Sequence, residues 1–140
     1  MAYAGPWETV HTVNDFFDVP RLGVADFRGA PHVYSCVFNP TADEWTSTYR
    51  LSPISPAQLA LMLEDWEIWS RWQSAYHAET LTERDNHPAL FLARVRHEEL
   101  GPDVARILNA NEGIVAVPTF RGSMYPHALE VSWASPPNVH

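Results

Sequence analysis

The stretch of sequence that decides the expected fold is AQLALMLEDWEIWSRWQSAYHAE, residues 57–79. Three tryptophans, Trp66, Trp69 and Trp72, fall within it, and it contains no glycine or proline. Leucine, alanine, methionine, glutamate and glutamine dominate its first half, and these residues lose little side-chain freedom in a helix. The composition therefore predicts one long, tryptophan-bearing helix around which the domain is organised.

The predicted helix is apolar over most of its circumference. At about 100° per residue its apolar side chains fall into two stripes on roughly opposite sides. The first stripe contains Leu59, Met62, Leu63, Trp66 and Trp69. The second contains Leu61, Ile68, Trp72 and Ala75, and the narrow polar side carries Glu64, Glu67, Arg71 and Ser74. We therefore expect the rest of the domain, or a second subunit, to enclose the helix on nearly every side.

Strand-like segments lie on both sides of this helix in the sequence. They alternate apolar and polar residues or are rich in residues that suit a pleated sheet. These segments are residues 22–28, 32–38, 44–51, 114–120 and 128–133. The first two flank Arg28-Gly29-Ala30-Pro31 and predict a hairpin, and Pro118 predicts an edge position or a bulge in the fourth.

Signals at the helix ends complete the expected fold. Ser55-Pro56 predicts the start of the long helix, with serine as N-cap and proline at the first helical position. A second helix is expected over residues 89–100, and Gly101-Pro102 predicts a break before a short helix ending near Asn111. The sequence thus predicts a single α+β domain over residues 1–140, in which a mainly antiparallel sheet of about five strands packs on one long tryptophan-rich helix and shorter helices.

Composition narrows the class of protein. With 9 arginine or lysine residues against 17 aspartates and glutamates, the net charge is −8, which argues against nucleic-acid binding. No lysine is present, so Schiff-base chemistry is excluded. Cys36 is the only cysteine, and its apolar surroundings predict a small core residue. No signal-peptide pattern or span of roughly 20 apolar residues is evident, so we expect a cytoplasmic protein.

Polar residues on the first apolar stripe suggest a ligand pocket. Gln73 and His77 project on the same side as Trp66, and polar groups on a buried stripe must find partners. One interpretation is a small-molecule pocket walled by Trp66, Trp69, Gln73 and His77. The other is that these polar groups bond nearby backbone atoms and only anchor the sheet.

A second group of reactive side chains lies between His11 and His32, and it includes Asp15, Asp18, Arg21 and Asp26. Carboxylates buried beside Phe16-Phe17 would have the raised pKa of an acid or base, so Asp15, Asp18 and His77 are the candidate catalytic residues. No zinc-type histidine spacing, serine-nucleophile elbow or phosphate-binding glycine loop is found, and we therefore expect no metal and no cofactor. A structural ion pair of Arg21 with Asp18 or Asp26 is the simpler interpretation.

Acidic residues suggest another class of function. Glu64, Asp65 and Glu67 lie on the long helix, and Glu79, Glu83 and Asp85 follow it. An acidic surface beside exposed aromatic residues favours docking of a basic protein, as in inhibitors and immunity proteins. The favoured function is thus a small acidic protein-binding module. The alternative is a small enzyme or ligand carrier that uses the tryptophan wall. Neither reading involves nucleic acid or membrane, and a homodimer remains open.

Two segments carry a family resemblance. DWEIWSRW at residues 65–72 and NHPAL at residues 86–90 resemble bacterial proteins of similar length to which no activity is attached, and the similarity extends to the hairpin at residues 23–38. The resemblance implies a bacterial, cytoplasmic protein. It implies no catalytic residue and no cofactor.

Overall fold

The computed structural model describes the backbone of residues 4–77, 88–110, 113–123 and 128–136, and their side chains except at 4, 72–77 and 88–94. Within these residues the chain forms six strands and two helices. In chain order they are β1 (Ala4–Phe17), β2 (Val19–Phe27), β3 (Ala30–Asn39), β4 (Glu44–Pro53), α1 (Pro56–His77), α2 (Pro88–Leu108), β5 (Ile114–Arg121) and β6 (Glu130–Ala134).

The six strands close into an antiparallel barrel in the order β1 to β6. The first half of β1 pairs with β6, as at Trp7 and Ser132, and its second half pairs with β2, as at Val13 and Gly23. β5 is divided in the same way between β4 and β6. The predicted α+β fold is therefore wrong, because the sheet closes on itself instead of packing on one long helix.

The sequence did not predict β1, the strand that closes the barrel, because the pairing of this strand is irregular. Its pairing with β2 shifts register between Val10 and Thr12 and again between Val13 and Asp15. A bulge adds a residue to one strand and interrupts the alternation of inward and outward side chains. Thr12 and Val13 are consequently both buried although they are neighbours, and this stretch does not show the period of two that identifies a strand.

The barrel interior is filled by apolar and aromatic side chains. Tyr34, Tyr49, Phe120 and Trp133 contact one another there with ring centroids 6.0 to 6.4 Å apart. The buried members of this interior core are Val10, Val13, Ala25, Tyr34, Cys36, Tyr49, Leu51, Ala116, Leu129, Val131 and Trp133. The sequence prediction of Cys36 as a core residue is confirmed, since the thiol is buried in β3.

The polar atoms of the interior rings reach backbone carbonyls. The hydroxyl of Tyr34 donates to the Thr12 carbonyl at 2.8 Å, and the indole N–H of Trp133 donates to the Asp26 carbonyl at 2.9 Å. Gly23 makes room for the first of these bonds, because a Cβ there would lie 2.2 Å from the Thr12 carbonyl oxygen and 2.6 Å from the Tyr34 hydroxyl. These bonds tie a ring of β3 to β1 and a ring of β6 to β2, strands with which β3 and β6 do not pair.

A second core lies outside the barrel, between the helices and the outer face of β2 and β3. Val24 and Val33 supply the strand side of this core. The helices supply Met62, Ile68, Leu100, Val104 and Ile107. The outward-facing apolar residues of the central strands are thus covered by the two helices, which connect β4 to β5.

The predicted start of the long helix is confirmed. The backbone N–H of Gln58 donates to Ser55 Oγ at 3.1 Å, and the N–H of Ser55 donates to Gln58 Oε1 at 2.8 Å. This reciprocal capping box satisfies two backbone donors at the helix end.

The rest of the domain does not enclose the helix as expected, and enclosure by a second subunit stays a prediction. Of its described side chains only Met62, Asp65 and Ile68 are buried, whereas Leu63 is 37% exposed and Trp66 and Trp69 are part-exposed. A closed barrel buries its own apolar interior and offers the helix only an outer face, so the helix covers that face with one side.

The predicted break at Gly101-Pro102 is also wrong, because α2 runs through Pro102 to Leu108. A proline inside a helix costs about 3 kcal/mol. Leu100, Val104 and Ile107 recur on one face of the helix and are all buried in the outer core. That burial offsets the lost hydrogen bond. The predicted hairpin, the strand after it and both late strands are confirmed within a few residues.

Pro118 lies in β5 beyond the last residue that pairs with β4, Ala116, and opposite Trp133 of β6. It therefore sits where β5 has left one of its two partner strands, which agrees with the edge position expected from the sequence.

Candidate functional site

A cleft of about 400 Å³ lies where α1, α2 and β1 meet. Small-molecule sites in proteins usually have volumes of roughly 300–1,000 Å³. The cleft is lined by Val13, Asn14, Asp65, Trp66, Trp69, His97, Gly101, Val104, Ala105 and Leu108. It combines apolar and aromatic walls with a few polar groups, as ligand sites do.

Two stacked indoles form one wall of the cleft. The rings of Trp66 and Trp69 lie 5.0 Å apart between centroids, with 21° between their planes. The two residues are three positions apart on α1, so they lie on adjacent turns of one face. Both rings remain part-exposed where they line the cleft, which gives it a flat apolar surface.

A carboxylate and an imidazole form the polar part of the cleft. His97 Nδ1 lies 2.5 Å from Asp65 Oδ1, so α2 and α1 are joined by a short hydrogen bond. The Asp65 side chain is 7% exposed and the His97 side chain 46% exposed. In the neutral imidazole whose proton is on Nδ1 and donates to the carboxylate, the opposite ring nitrogen, Nε2, is an acceptor.

The position of Asp65 follows from the helical period. Asp65 comes three residues after Met62 and three before Ile68, and all three side chains are buried. The sequence prediction placed Asp65 on an acidic surface of the helix, and this is wrong. A carboxylate on the buried side needs a partner, and His97 supplies it.

Ion pairs flank the cleft on its solvent side. Arg96 binds Glu64 through two hydrogen bonds of 2.6 and 2.9 Å. These bonds lower the pKa of the Glu64 carboxyl. Glu67 pairs with Arg71 one turn later, at 3.4 Å. The remaining acidic residues of the helix are thus each matched by an arginine, while Glu79, Glu83 and Asp85 lie outside the described residues.

Asn14 enters the cleft through the bulged part of β1. Thr12 Oγ1 donates to Asn14 Oδ1 at 2.6 Å and accepts from the backbone N–H of Val24 at 3.0 Å. The bulge of β1 therefore aims Asn14 towards the helices and fixes its amide oxygen. Sequence reasoning missed Asn14 and His97 as site residues. For the Asp65–His97 pair, the one available signal was the spacing of Asp65, three residues from both Met62 and Ile68 on the helix.

The structure places the predicted site residues in different regions. Trp66 and Trp69 line the cleft, but the side chains of Gln73 and His77 lie outside the described residues, so their part in a ligand wall stays a prediction. Asp15 and Asp18 are exposed near the β1–β2 turn, where Asp18 has a positive φ of 67°. The burial on which their proposed acid–base role depended is absent.

The other members of the 11–32 group do not form one site. His11 Nε2 lies 2.8 Å from Asp26 Oδ1, whereas His32 Nδ1 bonds the carbonyl of Ala30 at 2.8 Å. Arg21 donates to the Phe17 carbonyl at 2.9 Å and to Cys36 Sγ at 3.3 Å, so the expected ion pair with Asp18 or Asp26 is wrong. Among the described side chains no three potential metal ligands come together.

One end of the barrel exposes apolar side chains. Phe16, Phe17 and Val19 flank the β1–β2 turn, and Phe17 is 59% exposed. Phe38 is also exposed and meets Trp45 edge to face at 5.0 Å, and the Arg21 guanidinium lies 5.2 Å from the centre of the Trp45 ring. We call these residues, Phe16, Phe17, Val19, Phe38 and Trp45, the turn patch.

Comparison with known proteins adds no functional assignment. No protein-family model, no curated protein and no solved structure gives a significant match to this chain. The resemblance noted from the sequence therefore stays a prediction. Within the described part of the chain, neither helix has the length and apolarity needed to cross a bilayer.

Proposed function

We propose that this protein binds a small planar ligand in the cleft between α1, α2 and β1, with the indoles of Trp66 and Trp69 as the apolar wall. The observation that carries the proposal is the stacked indole pair, which opens on the same cleft as a nearly buried carboxylate and its imidazole partner. Flat aromatic surfaces favour offset stacking with a planar ring. A few fixed polar groups then orient the ligand.

The exposed part of the indole wall and the fixed polar groups beside it favour a ligand over a purely structural role. Trp66 and Trp69 are part-exposed, and a stacked planar ligand would remove their exposed area from water at about 25 cal/mol per Å². Neighbouring side chains already fix the Asp65 carboxylate and the Asn14 amide. Such preorganised groups reduce the entropy that binding must offset.

A thermal-shift screen of planar heteroaromatic compounds tests the proposal. A ligand at 100 times its Kd stabilises the native state by about 2.7 kcal/mol, and the melting temperature rises accordingly. We expect Trp69→Ala to abolish the shifts. Trp7→Ala is the matched control, because Trp7 is an exposed tryptophan on the barrel that contacts Arg121 and does not line the cleft.

Two results would contradict ligand binding in the cleft. One is that no planar compound stabilises the wild-type protein. The other is that every stabilising compound acts equally on the wild-type protein and on Trp69→Ala.

A protein-binding function is the second candidate, and the turn patch favours it. Its side chains are contiguous through Arg21, which contacts the Phe17 carbonyl and the Trp45 ring. Exposed aromatic residues are enriched at protein interfaces. The net charge of −8 favours a basic partner.

Hydrogen–deuterium exchange separates the second candidate from the first. With a set of basic proteins, a partner of the turn patch would protect the β1–β2 hairpin of wild type and of Trp69→Ala, but not of Phe17→Ser. Unchanged exchange in the hairpin with every protein tested would count against this candidate.

A further inference from the structure

We propose that the ligand of the cleft is a planar aromatic cation, such as an aromatic ring that bears a protonated amine. This inference rests on the proposed function and adds the charge of the ligand to it. Three features of the cleft support it: the charge of its lining, the direction of its hydrogen-bonding groups and the aromatic wall beside them.

Among the residues whose side chains the structure describes, the lining of the cleft carries negative charge without a balancing arginine. Asp65 and His97 are the ionisable residues among those that line it. Arg96, the nearest basic residue in sequence, is held by both oxygens of Glu64. When the imidazole of His97 is neutral, the pair that it forms with Asp65 has a net charge of −1.

The hydrogen-bonding groups of the pair are acceptors. Because His97 Nδ1 faces the carboxylate at 2.5 Å, a neutral imidazole donates there and presents Nε2 as an acceptor. The carboxylate itself only accepts. A ligand that donates N–H groups therefore complements the pair, whereas a ligand carboxylate would face like charge.

The position of the carboxylate strengthens this preference. The Asp65 side chain is 7% exposed, and charges interact more strongly where protein replaces water. The indoles of Trp66 and Trp69 line the same cleft, and the face of an indole attracts a cation. An ammonium group beside these rings would satisfy both interactions at once.

Three ligands with one ring system and different charges test the inference. Tryptamine is cationic, tryptophol is neutral and indole-3-acetate is anionic at pH 8, and isothermal titration calorimetry measures the Kd of each. Hydrogen bonds to charged groups contribute about 1.5–3 kcal/mol, so we expect tryptamine to bind at least about tenfold more tightly than tryptophol. Indole-3-acetate should bind most weakly.

Matched variants locate the origin of the preference. Asp65→Asn keeps the shape of the side chain and removes its charge, so we expect tryptamine and tryptophol to bind with similar affinity. Glu67→Gln removes one carboxylate charge from the same helix outside the cleft lining, where Glu67 pairs with Arg71, and should keep the preference. If Asp65→Asn does not fold, His97→Gln is the second variant. It leaves the Asp65 charge in place and should retain or increase the preference for tryptamine.

The outcomes distinguish failure of the cationic ligand from failure of ligand binding in the cleft. Equal binding of tryptamine and tryptophol to wild type, with loss of both in Trp69→Ala, would overturn the cationic ligand and leave the proposed function standing. A tryptamine preference that survives in Asp65→Asn would also overturn the inference. Failure of all three ligands to bind at millimolar concentration, together with no stabilising compound in the thermal-shift screen, would overturn both.

Discussion

The barrel interior and the cleft both combine aromatic rings with hydrogen-bonding groups, but these groups have different partners in the two regions. In the interior, the polar atoms of Tyr34 and Trp133 donate to backbone carbonyls and the rings are buried. In the cleft, Asp65 pairs with another side chain, His97, beside part-exposed indoles. A bond to the backbone fixes strands relative to one another, whereas the Asp65–His97 bond joins two helices at the lining of a cleft.

The largest expected effect comes from truncating an interior ring. Tyr34 is completely buried and touches three other rings, so Tyr34→Ala removes a hydrogen bond and leaves a cavity. Replacing a buried aromatic residue by alanine lowers the free energy of unfolding by about 3–5 kcal/mol. Chemical denaturation of the variant and of Trp69→Ala checks this. An equal loss in the two would mean that the indole wall is as structural as the interior.

The second prediction concerns high pH. Burial, and then the neighbouring Tyr49, raise the pKa of Tyr34 well above its usual value. Burial, and then the Cys36 thiol, likewise raise the pKa of Tyr49. Because the folded pKa lies above the unfolded value of about 10, this contribution to stability is fully present below pH 10 and is lost as the pH rises towards the folded pKa.

Denaturation curves between pH 8 and pH 11.5 measure this loss. Each unit by which folding raises the pKa corresponds to about 1.4 kcal/mol. Tyr34→Phe should be less stable at pH 8, because it lacks the hydrogen bond to Thr12, but its stability should fall less steeply above pH 10. Parallel curves for wild type and Tyr34→Phe would show that Tyr34 does not contribute to the alkaline loss.

The third prediction separates the two members of the cleft pair. His97→Ala leaves a carboxylate that is 7% exposed without this hydrogen bond, whereas Asp65→Ala leaves an imidazole that is nearly half exposed and can bond water. Leaving a buried polar group unsatisfied costs about 1–3 kcal/mol. We therefore expect His97→Ala to lower the free energy of unfolding, measured by thermal or chemical denaturation, by more than the loss of the hydrogen bond alone does in Asp65→Ala.

A control isolates that part of the Asp65 effect. Asp65→Asn keeps the packing volume, so its comparison with Asp65→Ala separates the loss of packing from the loss of charge. If Asp65→Asn is more destabilising than His97→Ala, the carboxylate has stabilising contacts other than the imidazole.

The local elements of this fold were predictable from the sequence, and its closure was not. The hairpin of β2 and β3 follows from alternation around Arg28-Gly29, and the start of α1 follows from Ser55-Pro56. Barrel closure depends on β1, whose bulges bury Thr12 and Val13 in succession and remove the alternation. Apart from β1, the strands show the same local sequence pattern whether the sheet closes into a barrel or packs open on a helix.

The cleft was predictable in part for a similar reason. Trp66 and Trp69 are near neighbours on one helix face, and this short-range relation can be deduced from spacing. His97 meets Asp65 across 32 positions. That contact depends on how α2 packs against α1, including its passage through Pro102, which local proline chemistry argues against.

The smallest predicted effect concerns the N-terminus of α1, where a change should affect stability without affecting the barrel interior or the cleft. Ser55 and Gln58 exchange two hydrogen bonds at an exposed site, so Ser55→Ala should lower the free energy of unfolding by about 1 kcal/mol, and Ser55→Gly by only a few tenths. Neither change touches the interior core or the lining of the cleft. Chemical denaturation should therefore register the loss, while the Kd of any ligand found for the cleft stays unchanged. A higher Kd in Ser55→Ala would show that the cleft depends on the first turn of α1. The position of the stacked indoles would then depend on the stability of a helix end that lies 11 residues before Trp66.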